Sequence, residues 1–300
     1  MKILFTFPGQ GGQRPGMLAM IPDREAILTQ ARAVLGDEVA TLDSADALKH
    51  TRAVQLCLLI AGVAWARELQ RQGVDPQMVS GLSIGAFPAA VIAGALDFAS
   101  ALRLVALRGD LMEQAYPEGY GLTAIMGLTR PRVEALMQGH EVYLANLNAE
   151  TQFVIAGRDE AMAEVAQLAL RAGASKAQRL AVSVPSHCAL LDKPAAELAK
   201  AFAGASLRRP WCAYLSGSTA RVLWDPQRIA DDLAMNMARP VHWQEAMVAA
   251  DERDARLAIE MPPGGVLTCL TRQAGWRGET IALERSGLDV ARHLAQRLSD

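Results

Sequence analysis

Aromatic residues make up only 5% of the 300-residue chain, against a hydrophobic fraction of 51%. A core this poor in rings has to be built from alanine, leucine, valine and methionine. Cysteine is scarce as well: Cys57, Cys188, Cys212 and Cys269 show no CxxC or zinc-type spacing. That excludes a disulfide scaffold and gives no metal site, and the four read as reduced thiols of a cytoplasmic protein. No excess of charge of either sign exists, with 30 Lys and Arg against 32 Asp and Glu. A dedicated nucleic-acid binder would show a basic excess, so no nucleic-acid partner is expected. Apolar runs are broken by charge well short of the roughly 18 residues that a membrane span needs. The apolar start at residues 1–8 is too short for a signal peptide. Neither GxGxxG nor a P-loop is present, so a nucleotide cofactor is not expected either.

What is present centres on Val79-Ser80-Gly81-Leu82-Ser83-Ile84-Gly85. Met78 and Val79 read as the end of a buried strand, and the small apolar run at 86–94 reads as a tightly packed helix. Between them, Gly81-x-Ser83-x-Gly85 permits a strand-to-helix turn too sharp for residues with a Cβ on either side. Such a turn lifts the serine Oγ above a sheet and aims a helix N-terminus at it, the arrangement called a nucleophile elbow. A glycine- and serine-rich turn without chemistry has the same five-residue pattern.

The rest of the chain alternates strands and helices, which predicts an α/β fold around a parallel sheet. Residues 2–8 form a buried strand that empties into Gly9-Gln10-Gly11-Gly12-Gln13, where glycine lets backbone approach a ligand closely. Residues 53–72 form a long core helix on which Gln55 is the polar exception, and a buried glutamine needs a partner. From residue 119 the texture changes to strand, helix, two strands, helix, strand, the last strand over 177–183. That β-α-β-β-α-β order over about 60 residues is a ferredoxin-like unit. The expected organisation is a catalytic domain at 1–118 and 187–300 interrupted by a small subdomain at 119–186.

A serine hydroxyl needs a base to take its proton. Of the five histidines, His187 alone sits in a small-residue turn, between a strand end and a helix, where it can meet an elbow; a structural histidine remains the alternative. No acid follows a strand in the order an α/β-hydrolase triad requires, which leaves a Ser-His dyad oriented by a main-chain carbonyl. The Ile84 N–H, at the helix start, and Gln10 are the candidate donors for an oxyanion. On the helix at 97–115, Arg103 and Arg108 project about 140° apart, so only one of them faces the core if the other faces solvent. Both being solvated is the other possibility. Gly109 is expected to leave room beside the Arg108 guanidinium.

Phe7-Pro8-Gly9-Gln10-Gly11-Gly12-Gln13, Val54-Gln55-Leu56, Gly81-Leu82-Ser83-Ile84-Gly85, Leu107-Arg108-Gly109, Asn146-Leu147-Asn148, Val154-Ile155-Ala156-Gly157, the 183–188 stretch and the 263–268 stretch together resemble the malonyl-CoA:acyl-carrier-protein transacylase family. The resemblance spans the whole chain in order. It implies an α/β-hydrolase-like core with a ferredoxin-like insertion. It further implies Ser83 as a nucleophile that carries malonyl as an ester, and His187 as a base held by the main-chain carbonyl of Asn236. Gln10 would belong to the oxyanion hole, Arg108 would pair with the free malonyl carboxylate, and Gln55 would line the pocket beside it. Malonyl-CoA and an acyl carrier protein with a phosphopantetheine-type thiol are the implied substrates, with no further cofactor.

One departure stands out. The fatty-acid members have a histidine before the nucleophile and an acid after the second glycine; here these are Leu82 and Ala86. With the loop at 13–18, the Ala115-Tyr116-Pro117 segment and the early C-terminus, they make the chain most similar to the epsilon subunits of malonate decarboxylases. The expected carrier is then that enzyme's own. Malonyl transfer for fatty-acid or polyketide synthesis, and a serine thioesterase, are the competing readings.

Overall fold

The computed structural model describes residues 1–116 and 118–299; Pro117, in the segment compared above, and Asp300 lie outside the described residues. The first part runs β1 (Lys2–Phe7), α1 (Arg24–Leu35), α2 (Thr51–Arg71), β2 (Met78–Gly81), α3 (Ala86–Ile92) and α4 (Phe98–Ala115). A middle part follows with β3 (Tyr120–Met126), α5 (Arg130–Met137), β4 (Val142–Ala149), β5 (Gln152–Arg158), α6 (Asp159–Arg171) and β6 (Lys176–Arg179). The last part holds α7 (Asp192–Ala201), β7 (Ala213–Leu215), β8 (Val222–Leu223), α8 (Pro226–Met235), α9 (Trp243–Glu252), β9 (Ala255–Glu260), α10 (Val266–Gln273), β10 (Glu279–Ala282) and α11 (Leu283–Ser299).

These elements build a mixed α/β protein with two sheets. The larger has six strands in the order β10-β9-β1-β2-β7-β8, parallel throughout except for β8 at its edge. Its central strand β1 is apolar and buried on both faces from Ile3 to Phe7, as a strand covered by helices on each side must be. Helices α2, α3 and α4 pack against one another, and their alanine-rich faces let the backbones approach closely. The smaller sheet is antiparallel, in the order β4-β5-β3-β6, and α5 and α6 contribute to its own apolar core. No helix among the described residues is long and apolar enough to cross a membrane.

The small sheet is tied to the large unit beside the functional residues. Val241, just past α8, donates from its N–H to the Ala145 carbonyl and accepts from Leu147 N–H, each at 2.8 Å. Cys188 is buried against Leu122, Ala145, Val154 and Ala156 of the small sheet, which fixes the turn that carries His187.

Two sequence expectations are corrected here. The last strand of the small sheet, expected to run over 177–183, ends at Arg179. The Arg179 side chain pairs with Asp159 through Nε and also donates to the carbonyls of Tyr120, Leu122, Leu180 and Val182, and these bonds draw the following chain out of the ladder. Residues 180–186 are therefore irregular, and His187 sits in a loop rather than at a strand end. Strand β8 was not anticipated, because two residues carry no periodicity.

Candidate active site

The elbow forms for steric reasons that can be read atom by atom. Strand β2 pairs in parallel with β1, Phe7 opposite Gly81, and Leu82 N–H donates to the Phe7 carbonyl at 3.0 Å. A Cβ on Gly81 would lie 2.0 Å from the Gly85 carbonyl, and one on Gly85 would lie 2.1 Å from the Phe7 oxygen. Both positions are closed to any other residue. Ser83 between them takes φ +58°, a left-handed conformation that costs on the order of 1–3 kcal/mol in a non-glycine residue. The strain is held by the helical turn at Ser83–Gly85 and by α3 behind it. Ile84 is the second residue of that turn, where the N–H has no acceptor within its own helix.

Arg108 is the most unusual side chain in the molecule. It is 0% exposed, and no carboxylate among the described residues pairs with it. Its Nη1 donates to Gln55 Oε1 at 2.7 Å, and its Nη2 donates to Asn236 Oδ1 at 3.0 Å and to Ser83 Oγ at 3.2 Å. The Nε has no partner, and the guanidinium lies over the Phe87 ring at 5.9 Å. Burial without a counter-charge pulls its pKa down from 12.5 to about 9. Gln55 is itself fully buried, and its amide nitrogen reaches only the Met112 sulfur. The exposed Arg103 bonds Ser100 Oγ instead, so of the two arginines on α4 it is Arg108 that faces inward.

Gly109 does something other than leave room for that guanidinium. A Cβ there would lie 2.4 Å from the Arg52 Cα, so the glycine allows α4 to press against the backbone of α2. Close contact of the two helices brings Gln55 within reach of Arg108.

His187 is also buried, and it too is left-handed, with φ +66°. Its N–H donates to the Met237 carbonyl at 2.6 Å, and its Nδ1 lies 2.8 Å from the Asn236 carbonyl. A carbonyl only accepts, so Nδ1 carries the hydrogen and Nε2 keeps a free lone pair. Desolvation first, and the nearby positive charge of Arg108 second, lower its pKa from 6.5 to about 4. The ring is therefore neutral at physiological pH. Ser83 Oγ bonds Arg108, and no bond between Ser83 and His187 is formed among the described residues.

Gln10 lies in the loop after β1. A Cβ on its neighbour Gly9 would touch Leu82 Cδ2 at 2.8 Å, and one on Gly12 would lie 3.2 Å from the Pro263 oxygen. The glycine loop is thus pressed between the elbow and the segment leading to α10. The sequence reading missed the Asn236 side chain. Its Nδ2 donates to the Ser83 carbonyl at 3.3 Å, in addition to the Oδ1 contact with Arg108 and the main-chain contact with His187. Its partners are 153, 128 and 49 residues away, and no local pattern announces such contacts. No cluster of His, Cys, Asp and Glu among the described residues is suited to a metal ion.

A strained serine on an elbow, a neutral buried histidine and a buried guanidinium with no carboxylate partner among the described residues are groups suited to an enzyme that handles acyl groups. The chain belongs to the acyl transferase family, whose acyl transferase domain matches residues 4–283. Its relatives place it among the malonyl CoA-acyl carrier protein transacylases. The transacylase of that name from Escherichia coli K12 is 37% identical over 285 residues, covering 91% of this chain and 92% of the relative. The solved structure of the one from Coxiella burnetii superposes with a TM-score of 0.92 at 32% identity and covers 100% of this chain and 98% of that one. A malonyl-transacylase solved with its type II polyketide acyl-carrier protein gives a TM-score of 0.91 at 34% identity, covering 98% of this chain and 99% of the other.

Proposed function

We propose that this chain moves a malonyl group from malonyl-CoA to the phosphopantetheine-type thiol of an acyl carrier protein through a malonyl-Ser83 ester. The observation that carries the reading is Arg108, a fully buried guanidinium with no carboxylate partner that reaches Ser83 Oγ. A planar fork of donors at that place fits the free carboxylate of a malonyl group in a bidentate manner. An acetyl group would leave the charge unpaired, at a cost of about 3–5 kcal/mol.

In the first half-reaction Ser83 Oγ attacks the thioester carbon. A C–O bond forms, the hydroxyl proton passes to His187 Nε2, and the C–S bond breaks as the proton moves on to the CoA thiolate. The Ile84 N–H and Gln10 stabilise the oxyanion between these steps. In the second half-reaction the carrier thiol gives its proton to His187 and attacks the ester carbon; a C–S bond forms, the bond from that carbon to Ser83 Oγ breaks, and the Oγ recovers the proton. Asn236 holds His187 in the required tautomer through its carbonyl.

The fold reading that accompanies this is an α/β-hydrolase-like core at 1–118 and 187–300 with a ferredoxin-like subdomain at 119–186, in the cytoplasm. The sheet order β4-β5-β3-β6 supports the ferredoxin-like part. We assign the carrier to malonate decarboxylase because Leu82 and Ala86 remove two polar neighbours found in fatty-acid members. The names of the relatives favour a second reading, a carrier of fatty-acid or polyketide synthesis. A thioesterase has less support, since His187 Nδ1 meets a carbonyl rather than a carboxylate.

Incubation with malonyl-CoA should add one malonyl mass at Ser83, and acetyl-CoA should add far less. No adduct, or equal adducts from both, overturns the reading. Loading rates on purified decarboxylase, fatty-acid and polyketide carriers separate the carriers, and steady CoA release with no carrier present would mark a hydrolase.

A further inference from the structure

Arg108 Nη2 does more than wait for a carboxylate: it donates to Ser83 Oγ at 3.2 Å and to Asn236 Oδ1 at 3.0 Å. We propose that Arg108 holds the nucleophile out of reaction, and that a carboxylate on the incoming acyl group releases it. Acyl choice is then made at the activation of Ser83 as well as at binding. This deepens the transferase reading above and rests on it.

Three observations support the gate. A serine oxygen whose lone pair is held by a cation is a weaker nucleophile, and here its proton has no base, because the Ser83 bond runs to Arg108 and none runs to His187 among the described residues. The guanidinium is under-supplied with acceptors: two amide oxygens and a hydroxyl serve a fully buried charge, and Nε has no partner. A carboxylate supplies two charged oxygens and outcompetes a neutral hydroxyl for the same N–H groups. Asn236 makes the exchange local. Its Oδ1 keeps hold of Nη2, its Nδ2 keeps the Ser83 backbone in place at 3.3 Å, and its carbonyl keeps Nε2 of His187 turned out as an acceptor. Only the Oγ has to turn, from Arg108 towards His187. An acyl group lacking a carboxylate leaves the hold intact and meets a serine that is not armed.

The test uses the full chain and a serine probe with no carboxylate of its own, phenylmethanesulfonyl fluoride. In that reaction the Oγ–S bond forms, the S–F bond breaks, and the proton goes to His187. Formate, as the sodium salt at constant ionic strength, supplies the carboxylate in trans. Formate is expected to raise the rate of Ser83 sulfonylation in a saturable manner by about ten-fold, the factor given by one hydrogen bond to a charged group. Chloride should not do so. Arg108→Ala should react at the fast rate without formate and ignore it, while the wild-type formate response needs no variant to fold. A flat or falling response with malonyl-CoA still loading Ser83 overturns the gate alone. A chain that malonyl-CoA does not load overturns the transferase reading and the gate with it.

Discussion

Helices α2 and α4 carry two arginine sites side by side, and they differ in one respect. At one level Arg52 of α2 meets Asp110 of α4 at 2.6 Å and Glu38 at 2.7 Å. Close by along the same helices, Gln55 of α2 meets Arg108 of α4, and no carboxylate is there. The Glu38 hydrogen bond, with Asp110 alongside, raises the Arg52 pKa despite some burial, whereas burial alone lowers that of Arg108. The first site is a closed account of charge that locks two helices together. In the second the charge meets only neutral acceptors, two amide oxygens and a hydroxyl. A buried cation without a counter-charge is costly, and such a group in a site is a candidate for binding an anionic ligand.

The contrast can be broken most forcefully at Arg108. Arg108→Ala should lower kcat/KM for malonyl-CoA by about 100-fold or more while narrowing the gap to acetyl-CoA. Initial rates with both thioesters check this, and an unchanged preference for malonyl would refute the clamp. A smaller effect follows from making the open site resemble the closed one. Asn236→Asp places a carboxylate against Nη2 and removes the Nδ2 donor to the Ser83 carbonyl, so it should cost about ten-fold in kcat/KM for malonyl-CoA through both KM and kcat. In the other direction, Asp110→Asn removes one of the two carboxylates of the closed site and leaves Glu38 on Arg52. Its ion pair is partly exposed, so thermal or denaturant unfolding should register a loss of about 1 kcal/mol or less, with the malonyl preference intact.

The smallest effect near neutrality concerns His187. Its pKa near 4 means that kcat/KM should stay level from pH 7 to about 5 and fall only below that as the base is protonated. Stability follows the same sign. The unfolded histidine binds its proton near 6.5 and the folded one near 4, so the stabilising contribution is complete above 6.5 and is lost as pH falls towards 4. A pH–rate profile and unfolding curves at matched pH values measure the two. An acidic limb near 6.5 would mean that the ring is not desolvated in solution.

Much of this site was legible in the sequence because its constraints are local. Gly81 and Gly85 are forced by clashes within a single turn, so five residues announce the elbow. The alternation of strands and helices, with an antiparallel interruption from Tyr120 to Arg179, is likewise written in short-range patterns. Helical spacing alone could not choose between Arg103 and Arg108, since it fixes their angle but not which side is covered. Gly109 was read as space for a side chain, and it is a contact between backbones. Arg179 donates to Asp159 and to carbonyls of Tyr120, Leu122, Leu180 and Val182, contacts that no strand or helix period announces. The side chain of Asn236 was the least legible, because each of its contacts crosses the fold.

That residue also sets terms for anyone who would redirect the enzyme to other acyl groups. Through one amide and one carbonyl, Asn236 touches Arg108, Ser83 and His187 together, the proposed selector, nucleophile and base. Substitutions at Ser83, Arg108, His187 and Asn236 should therefore combine non-additively, as groups that share a partner do. A library that varies Arg108 alone leaves Asn236 Oδ1 without its donor, and so disturbs the residue that holds the Ser83 backbone and His187. Variants that re-supply a donor to Asn236 Oδ1 in the same step are the ones expected to keep Ser83 and His187 in place.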